Sequence, residues 1–485
     1  MKKISAIFSG MAILSGLALN AAAQQVFQPT WESLSRYQVP EWYRDAKFGI
    51  FIHWGVYSVP AFGSEWYPRL MYQRGSAEFK HHSETYGAQN IFGYKDFIPL
   101  FKAEKFNADQ WADLFKRAGA KYVVPVAEHH DGFAMYNTSL SKWNAMNMGP
   151  KRDIIGELAE AVRKKDMIFG LSSHRIEHWF FMNEGRKINS DVNDSAYADF
   201  YGPAMNEKDS LTTVYMNDWL LRCTELVTKY KPQLVWFDWW IEQPAMEAYR
   251  KSFTSFYYNQ GLSWNKGVVV NYKNKSFPET AAVLDLERGK MEGIRSLPWQ
   301  TDDAVGFKSW GFIKGENYKS TQYVVDELID IVSKNGNLLL NIGPRSDGTI
   351  PEEQQQLLLS IGKWLEINGE AIYGTSPWKI FGEGPTENIG GSFIDGKVKN
   401  FTFQDIRFTT KGKVLFAISL AVPANHEKVI LKNLSLKSGN GKVIKLELLG
   451  TDEKVKWSQQ ADGLIIEPSK KYPSEIALAY RIVLE

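Results

Sequence analysis

One cysteine in 485 residues is the most restrictive scarcity in this chain. Cys223 alone cannot close an intrachain disulfide, so the fold must stand on its core. Its setting in the helical stretch "DWLLRCTELVTKY" reads as apolar filler, the alternative being a catalytic thiol. Net charge is almost absent as well: 57 Lys and Arg oppose 55 Asp and Glu, leaving +2. Such a balance argues against nucleic acid or an anionic membrane surface as the main partner. No Gly-rich phosphate loop follows the first apolar run, which reads "FIHWGVYS". Paired-Cys metal spacings, internal repeats and low-complexity tracts are missing too, and no pattern specifies self-association. Past the first 25 residues no apolar stretch is long enough to span a bilayer.

What is present is apolar and aromatic. Hydrophobic residues make up 44% and aromatic ones 14%, including 17 tryptophans, enough to bury a large core. The opening "MKKISAIFSGMAILSGLALNAAAQQ" has the layout of a cleaved secretory signal over residues 1–23: two lysines, a short apolar stretch, then Ala21–Ala23. Removing Lys2 and Lys3 leaves a neutral remainder, and a bacterial periplasmic or secreted product is expected.

From there to about residue 380, strand-like and helical runs alternate. Strands are predicted at "FGIFIHWGVYS" (48–58), "KYVVPVAEHH" (121–130), "MIFGLSSH" (167–174), "QLVWFDW" (233–239), "GVVVNY" (267–272), "AAVLDLE" (281–287) and "NLLLNIG" (337–343). Helices are predicted between them, one capped by Asn107 and stopped near Gly119, another opening at Asp153, others at 216–230 and 321–336. Continuous apolar strands suit a parallel sheet covered on both faces, and the long series predicts a (β/α)₈-like barrel over 24–380, with a doubly wound sheet as the competing fold. Residues 381–485 read as a small antiparallel β-sandwich, with Val414, Phe416, Ile418 and Leu420 on one face.

A parallel barrel carries its site at the strands' C-terminal ends. Those ends supply His53-Trp54, Glu128-His129-His130-Asp131, His174, Asp238, Asn271 and Glu287. Two carboxylates framed by His and Trp match glycoside hydrolysis, which needs one ionised carboxylate at the anomeric carbon and one protonated carboxyl at the leaving oxygen. Plainer readings stand beside this. A strand-end Asp can cap the next helix, and Glu287 can pair with Arg288 or a nearby lysine. Glu128, His129 and His130 could ligate a metal in a barrel hydrolase, although neighbours on a strand point to opposite faces unless a bulge intervenes. His81 and His82 read as solvated loop residues, and His426 as a sandwich residue without chemistry.

The chain resembles glycoside hydrolase family 29, the α-L-fucosidases, over roughly residues 30–485. The motifs are "WYRDAKFGIFIHWGVYSVPAFGSEWY" (42–67), "YKDFIPLFKAEKFNADQWADLFKRAGAKYVV" (94–124), "EHHDGFAMYNT" (128–138), "LVWFDWW" (234–240) and "SKNGNLLLNIGPRSDGTIPEEQ" (333–354). The resemblance implies a barrel followed by a β-sandwich, retaining hydrolysis of α-L-fucosides on glycans or glycoconjugates, and no cofactor or metal. It makes Asp238 the nucleophile and His53, Glu65, Trp66, His129, His130 and Trp236 the sugar-binding residues. Two departures matter. "SSHRIEHW" stands where many members carry an aromatic, so His174 or Trp179 would line the pocket differently. "PWQTDDAVG" puts Gln300 where some members carry a glutamate acid, which moves the acid/base to Glu287, with Glu292 second. A non-catalytic fucose-binding protein on the same scaffold is the remaining alternative.

Overall fold

A computed structural model describes residues 26–396, 400–424 and 427–485. The expected signal segment 1–23 and His426 lie outside the described residues.

Eight parallel strands close into a barrel in chain order: β1 (Phe48–Ile52), β2 (Tyr122–Glu128), β3 (Ile168–Ser173), β4 (Leu234–Phe237), β5 (Val269–Tyr272), β6 (Val283–Glu287), β7 (Trp299–Ala304) and β8 (Gly336–Ile342). The helical outer layer includes α1 (Ala108–Arg117), α2 (Ile154–Lys164), α3 (Thr213–Tyr230), α4 (Glu247–Ser263), α5 (Thr321–Ser333) and α6 (Glu352–Asn368). Local chemistry sets their ends. The Asn107 side chain accepts from the Gln110 N–H at 3.0 Å, the Asp153 side chain from the Gly156 N–H at 3.0 Å, and Gly119 takes φ 89° just past α1.

No helix separates β5 from β6 or β6 from β7. Strand β7 is also the strand that apolar patterning misses: "WQTDDA" is fully buried yet mostly polar. Its charges are tolerated because each has a partner, Asp302 with Lys273 and Asp303 with Lys319. The barrel floor is polar too. Tyr43 and Tyr122 donate to the Gln300 amide oxygen at 3.0 and 2.8 Å, and Asn271 donates to the Tyr43 hydroxyl at 3.0 Å. Gly49 makes room for this, since a Cβ there would fall 2.4 Å from the Tyr122 ring.

The C-terminal part pairs a five-stranded antiparallel sheet with a three-stranded one. Strand β9 (Ser376–Glu383) already belongs to the larger sheet, so the border expected at 380/381 falls inside it. Strand β10 (Val414–Ser419) is buried on both sides: Leu415 and Ala417 face the sandwich core, while Phe416 and Ile418 join the barrel's core. One other expectation changes. His81 and His82 lie on a helix, Ala77–Thr85, rather than in a solvated loop, because their neighbours are aromatic. His81 stacks on Phe62 at 3.9 Å, and buried His82 bonds the Tyr67 hydroxyl at 3.0 Å and the Phe92 carbonyl at 2.8 Å. Cys223 is buried, and burial pushes its thiol pKa up, which suits filler and not a nucleophile.

A buried ion cluster fastens the sandwich to the barrel. Asp330 on α5 accepts from Arg407 of the larger sheet at 2.5 Å and from Lys334 at 2.7 Å. Breaking one leg of such a cluster strands charge away from water. Arg407→Met is therefore expected to lower unfolding free energy by about 3 kcal/mol in denaturant titration. A change below about 1 kcal/mol would be the behaviour of a solvated pair and would contradict this picture.

Candidate active site

At the C-terminal mouth of the barrel lies a cavity of about 850 Å³, lined among others by His53, Glu65, Trp66, His129, His130, His174, Trp236, Asp238 and Glu287. All nine sequence-chosen site residues thus meet in one place. Glu292 is exposed and lies outside this lining, and Trp179 is buried with its indole N–H on the Asp209 carbonyl. Asn271 and Gln300 sit in the barrel floor, below the cavity wall. Gln300 is thus a core residue holding two tyrosines, and its being an amide rather than a carboxylic acid says nothing about a missing acid.

Asp238 follows β4 directly and is 7% exposed. Its Oδ2 accepts from His174 Nδ1 at 2.8 Å, its Oδ1 from the Trp239 N–H at 2.8 Å, and Lys273 Nζ lies 3.8 Å from Oδ1. Burial would raise this carboxyl, but the Lys273 ammonium and the His174 bond hold it well below the usual range. Behind His174, the Ser172 hydroxyl lies 2.9 Å from Nε2. With the hydroxyl donating, His174 keeps its proton on Nδ1, aimed at Asp238.

Lys273 was not legible as a site residue. It sits just past β5, 2.5 Å from Glu287 Oε2, 3.1 Å from Asp302 Oδ2 and 4.9 Å over the Trp236 ring. Three carboxylates crowd one ammonium, so each opposes the ionisation of the others. Burial first, then Asp302 and Asp238, outweigh Lys273 and push Glu287 up to about 7. Asp285, buried against Asp302 and bonded by the Gln300 amide, is raised as well. The same ammonium is pushed well above the ordinary lysine range by its three partners, so it stays charged.

The histidines are held in defined tautomers. The Asn341 amide nitrogen donates to the Trp310 carbonyl at 2.7 Å, which turns its oxygen to His53 Nδ1, also at 2.7 Å. His53 therefore presents Nε2 as an acceptor. His130 Nδ1 donates to the His174 carbonyl at 3.1 Å, leaving Nε2 free 3.5 Å from Asp238. Burial drives His53 and His129 well below the usual range and His130 to about 3, so all three are neutral hydrogen-bonding groups at working pH. Strand β2 carries a register irregularity between Val126 and Glu128 and ends there, which lets the adjacent His129 and His130 reach the same cavity. Beneath them Glu177, with no exposed surface, sets Oε1 3.5 Å from His130 Nδ1, and burial pushes its carboxyl well above the usual range.

Glu65 anchors the far wall by accepting from the Ser309 hydroxyl at 3.0 Å and the Trp310 N–H at 2.9 Å. Trp66 meets the His130 ring edge-on at 5.7 Å. Two ligand sets could grip a metal ion, His53 with His129 and His174, and His130 with His174 and Asp238. Glu128 belongs to neither: it turns outward to Arg175 and Arg222 at 3.1 and 3.2 Å, so the Glu128-His129-His130 triad anticipated as a metal centre does not converge.

Comparison with known proteins places this arrangement. The α-L-fucosidase family profile matches residues 16–370 and the α-L-fucosidase C-terminal domain profile residues 399–485. The chain is 33% identical to mouse tissue α-L-fucosidase, covering 96% of itself and 95% of the mouse protein. It is also 33% identical to the α-L-fucosidase of Dictyostelium discoideum, over 90% of this chain and 92% of that protein. The crystal structure of Thermotoga maritima α-fucosidase with a mechanism-based inhibitor superimposes with TM-score 0.77 at 33% identity, covering 94% of this chain and all of that one. By sequence over nearly its whole length, and by fold, the chain belongs to the α-L-fucosidase family of glycoside hydrolases.

Proposed function

We propose that the protein releases terminal α-L-fucose from oligosaccharides or glycoconjugates by a retaining mechanism, with Asp238 as nucleophile and Glu287 as acid/base. The observation that carries this is the pair of carboxylates tied to one ammonium. Legs of 3.8 Å to Asp238 and 2.5 Å to Glu287 limit the gap between those oxygens to less than the ~6.5–9.5 Å that an inverting enzyme leaves for water. Their environments also push the two carboxyls apart, one ionised and one protonated near neutrality.

The charge accounting then closes. In the first step Asp238 attacks C1 while Glu287 gives its proton to the leaving oxygen. Asp238 becomes a neutral ester and Glu287 becomes the anion. One negative charge has moved across Lys273 without changing in amount, so the ammonium stabilises both ends of the step. The newly ionised Glu287 then takes a proton from water to release fucose. Neutral His53 and His130 present acceptor nitrogens to sugar hydroxyls, and Trp66, Trp236 and Trp310 supply apolar faces for the C–H surface and the C5 methyl. Swapping that methyl for hydroxymethyl is worth about 1–3 kcal/mol of discrimination unless the larger group clashes.

The N-terminal pattern supports an exported, periplasmic or secreted enzyme, and no described helix is long and apolar enough to cross a membrane. A metal-dependent reaction is the less favoured reading, because both carboxylates and the proton inventory account for the chemistry.

Asp238→Gly is expected to lower kcat on an aryl α-L-fucoside by roughly 10³-fold or more, azide restoring part of it with formation of the β-fucosyl azide; no rescue by any small anion would count against the nucleophile. Glu287 is protonated below about 7 and loses its proton above it. The kcat/KM profile should therefore fall about tenfold per pH unit on the alkaline side. In Glu287→Gln that limb should vanish, and its survival there would assign it to another group. Dialysis against a chelator should leave kcat/KM unchanged, whereas loss restored by a divalent ion would favour the metal reading.

A further inference from the structure

We propose that Phe393 and Phe307 form the platform on which the leaving sugar is held, and that the sugar taken there is a pyranoside presenting an apolar C–H face. The inference rests on Glu287 being the proton donor. A general acid works within hydrogen-bond reach, so the leaving group must lie against Glu287. The chain beside Glu287 at the cavity mouth is not a barrel loop. It belongs to the stretch that follows β9 within the larger sheet of the sandwich, running where the β5–β6–β7 side lacks helices.

That segment is fixed by backbone bonds. Gly391 and Lys290 exchange N–H to carbonyl bonds at 2.8 and 3.0 Å, the Phe393 N–H donates to the Glu287 carbonyl at 3.0 Å, and the Ile394 N–H donates to the Arg288 carbonyl at 3.0 Å. Asp395 adds an ion pair to Arg288 at 2.7 Å. Between these ties Phe393 holds φ 54°, a left-handed conformation that a bulky side chain normally avoids. The bonds on either side sustain the strain, and their effect is to turn the ring out onto the cavity wall, 55% exposed, while neighbouring Ile394 is buried.

Phe307, just past β7, is the second large ring on this wall and is 41% exposed. It too is tied to the acid's neighbour: Arg288 donates to its carbonyl at 3.2 Å, and its own N–H bonds the Asn317 carbonyl at 3.1 Å. Two aromatic rings in water, each pinned through the Glu287-Arg288 pair, gain most by covering a flat apolar face. A pyranose entering beside Glu287 offers one.

The test compares α-L-fucosyl fluoride, whose leaving group is a single atom, with an α-L-fucosyl-N-acetylglucosamine disaccharide. Phe393→Ala and Phe307→Ala should each lower kcat/KM for the disaccharide about tenfold, Phe393→Trp should retain it, and fluoride hydrolysis should change by less than about twofold. An equal loss on both substrates would make the rings supports of the site and overturn the proposal, as would full activity on the disaccharide. Failure of the unmodified enzyme to hydrolyse the fluoride at all would instead defeat the fucosidase reading beneath it.

Discussion

Everything at the mouth of this barrel is arranged around the Lys273 ammonium. It is buried, touches three carboxylates and lies over an indole ring. An isolated charge at that depth would be costly; here it is a reason that Asp238 stays ionised although buried. Three acids around one base oppose one another's ionisation, and burial raises Glu287, the carboxyl that the proposed mechanism makes the proton donor. On that proposal the division between Asp238 and Glu287 follows from burial and the shared ammonium together.

The fold makes such crowding affordable. Strands β5 to β7 run without intervening helices, and β7 carries polar residues on both of its faces, Asp302 toward Lys273 and Asp303 toward Lys319. The open flank is closed by the stretch that follows β9 in the sandwich, whose backbone bonds to the end of β6 and the residues just after it. Structure outside the barrel is therefore coupled to the position of Glu287. The sandwich in turn is held by Asp330, Arg407 and Lys334 and by β10, which is buried on both faces. Four of the chain's eight histidines converge on the cavity; His53 and His130 are bonded through Nδ1, which leaves Nε2 free, whereas both nitrogens of His174 are engaged, by Asp238 and Ser172.

Legibility in the sequence followed hydrophobicity. Seven strands announced themselves as apolar runs, and reading off their C-terminal ends located Asp238, Glu287 and the histidines. Strand β7 was silent because its burial is bought by ion pairs, which no apolar count detects. Lys273 was missed by two residues: the run "VVVNY" drew attention to Asn271, whose side chain points into the floor, while the strand's true end delivers the lysine. Phe393 lay in a Gly-rich turn stretch, and only the tertiary bonds to Glu287 and Arg288 reveal what that turn presents. The fucoside assignment came from motif resemblance, since the physics of spacing reaches a glycosidase and no further.

The central claim is that one negative charge shuttles between Asp238 and Glu287 across Lys273. Carbon-13 NMR of carboxyl-labelled glutamate, assigned with Glu287→Gln, would read the Glu287 titration in the free protein and after trapping with a 2-fluoro-fucosyl fluoride. A fall in the Glu287 pKa from about 7 on esterification of Asp238 is the predicted result, because the neighbouring negative charge has gone. An unchanged or higher value in the trapped protein, or an adduct that maps to a residue other than Asp238, would contradict it.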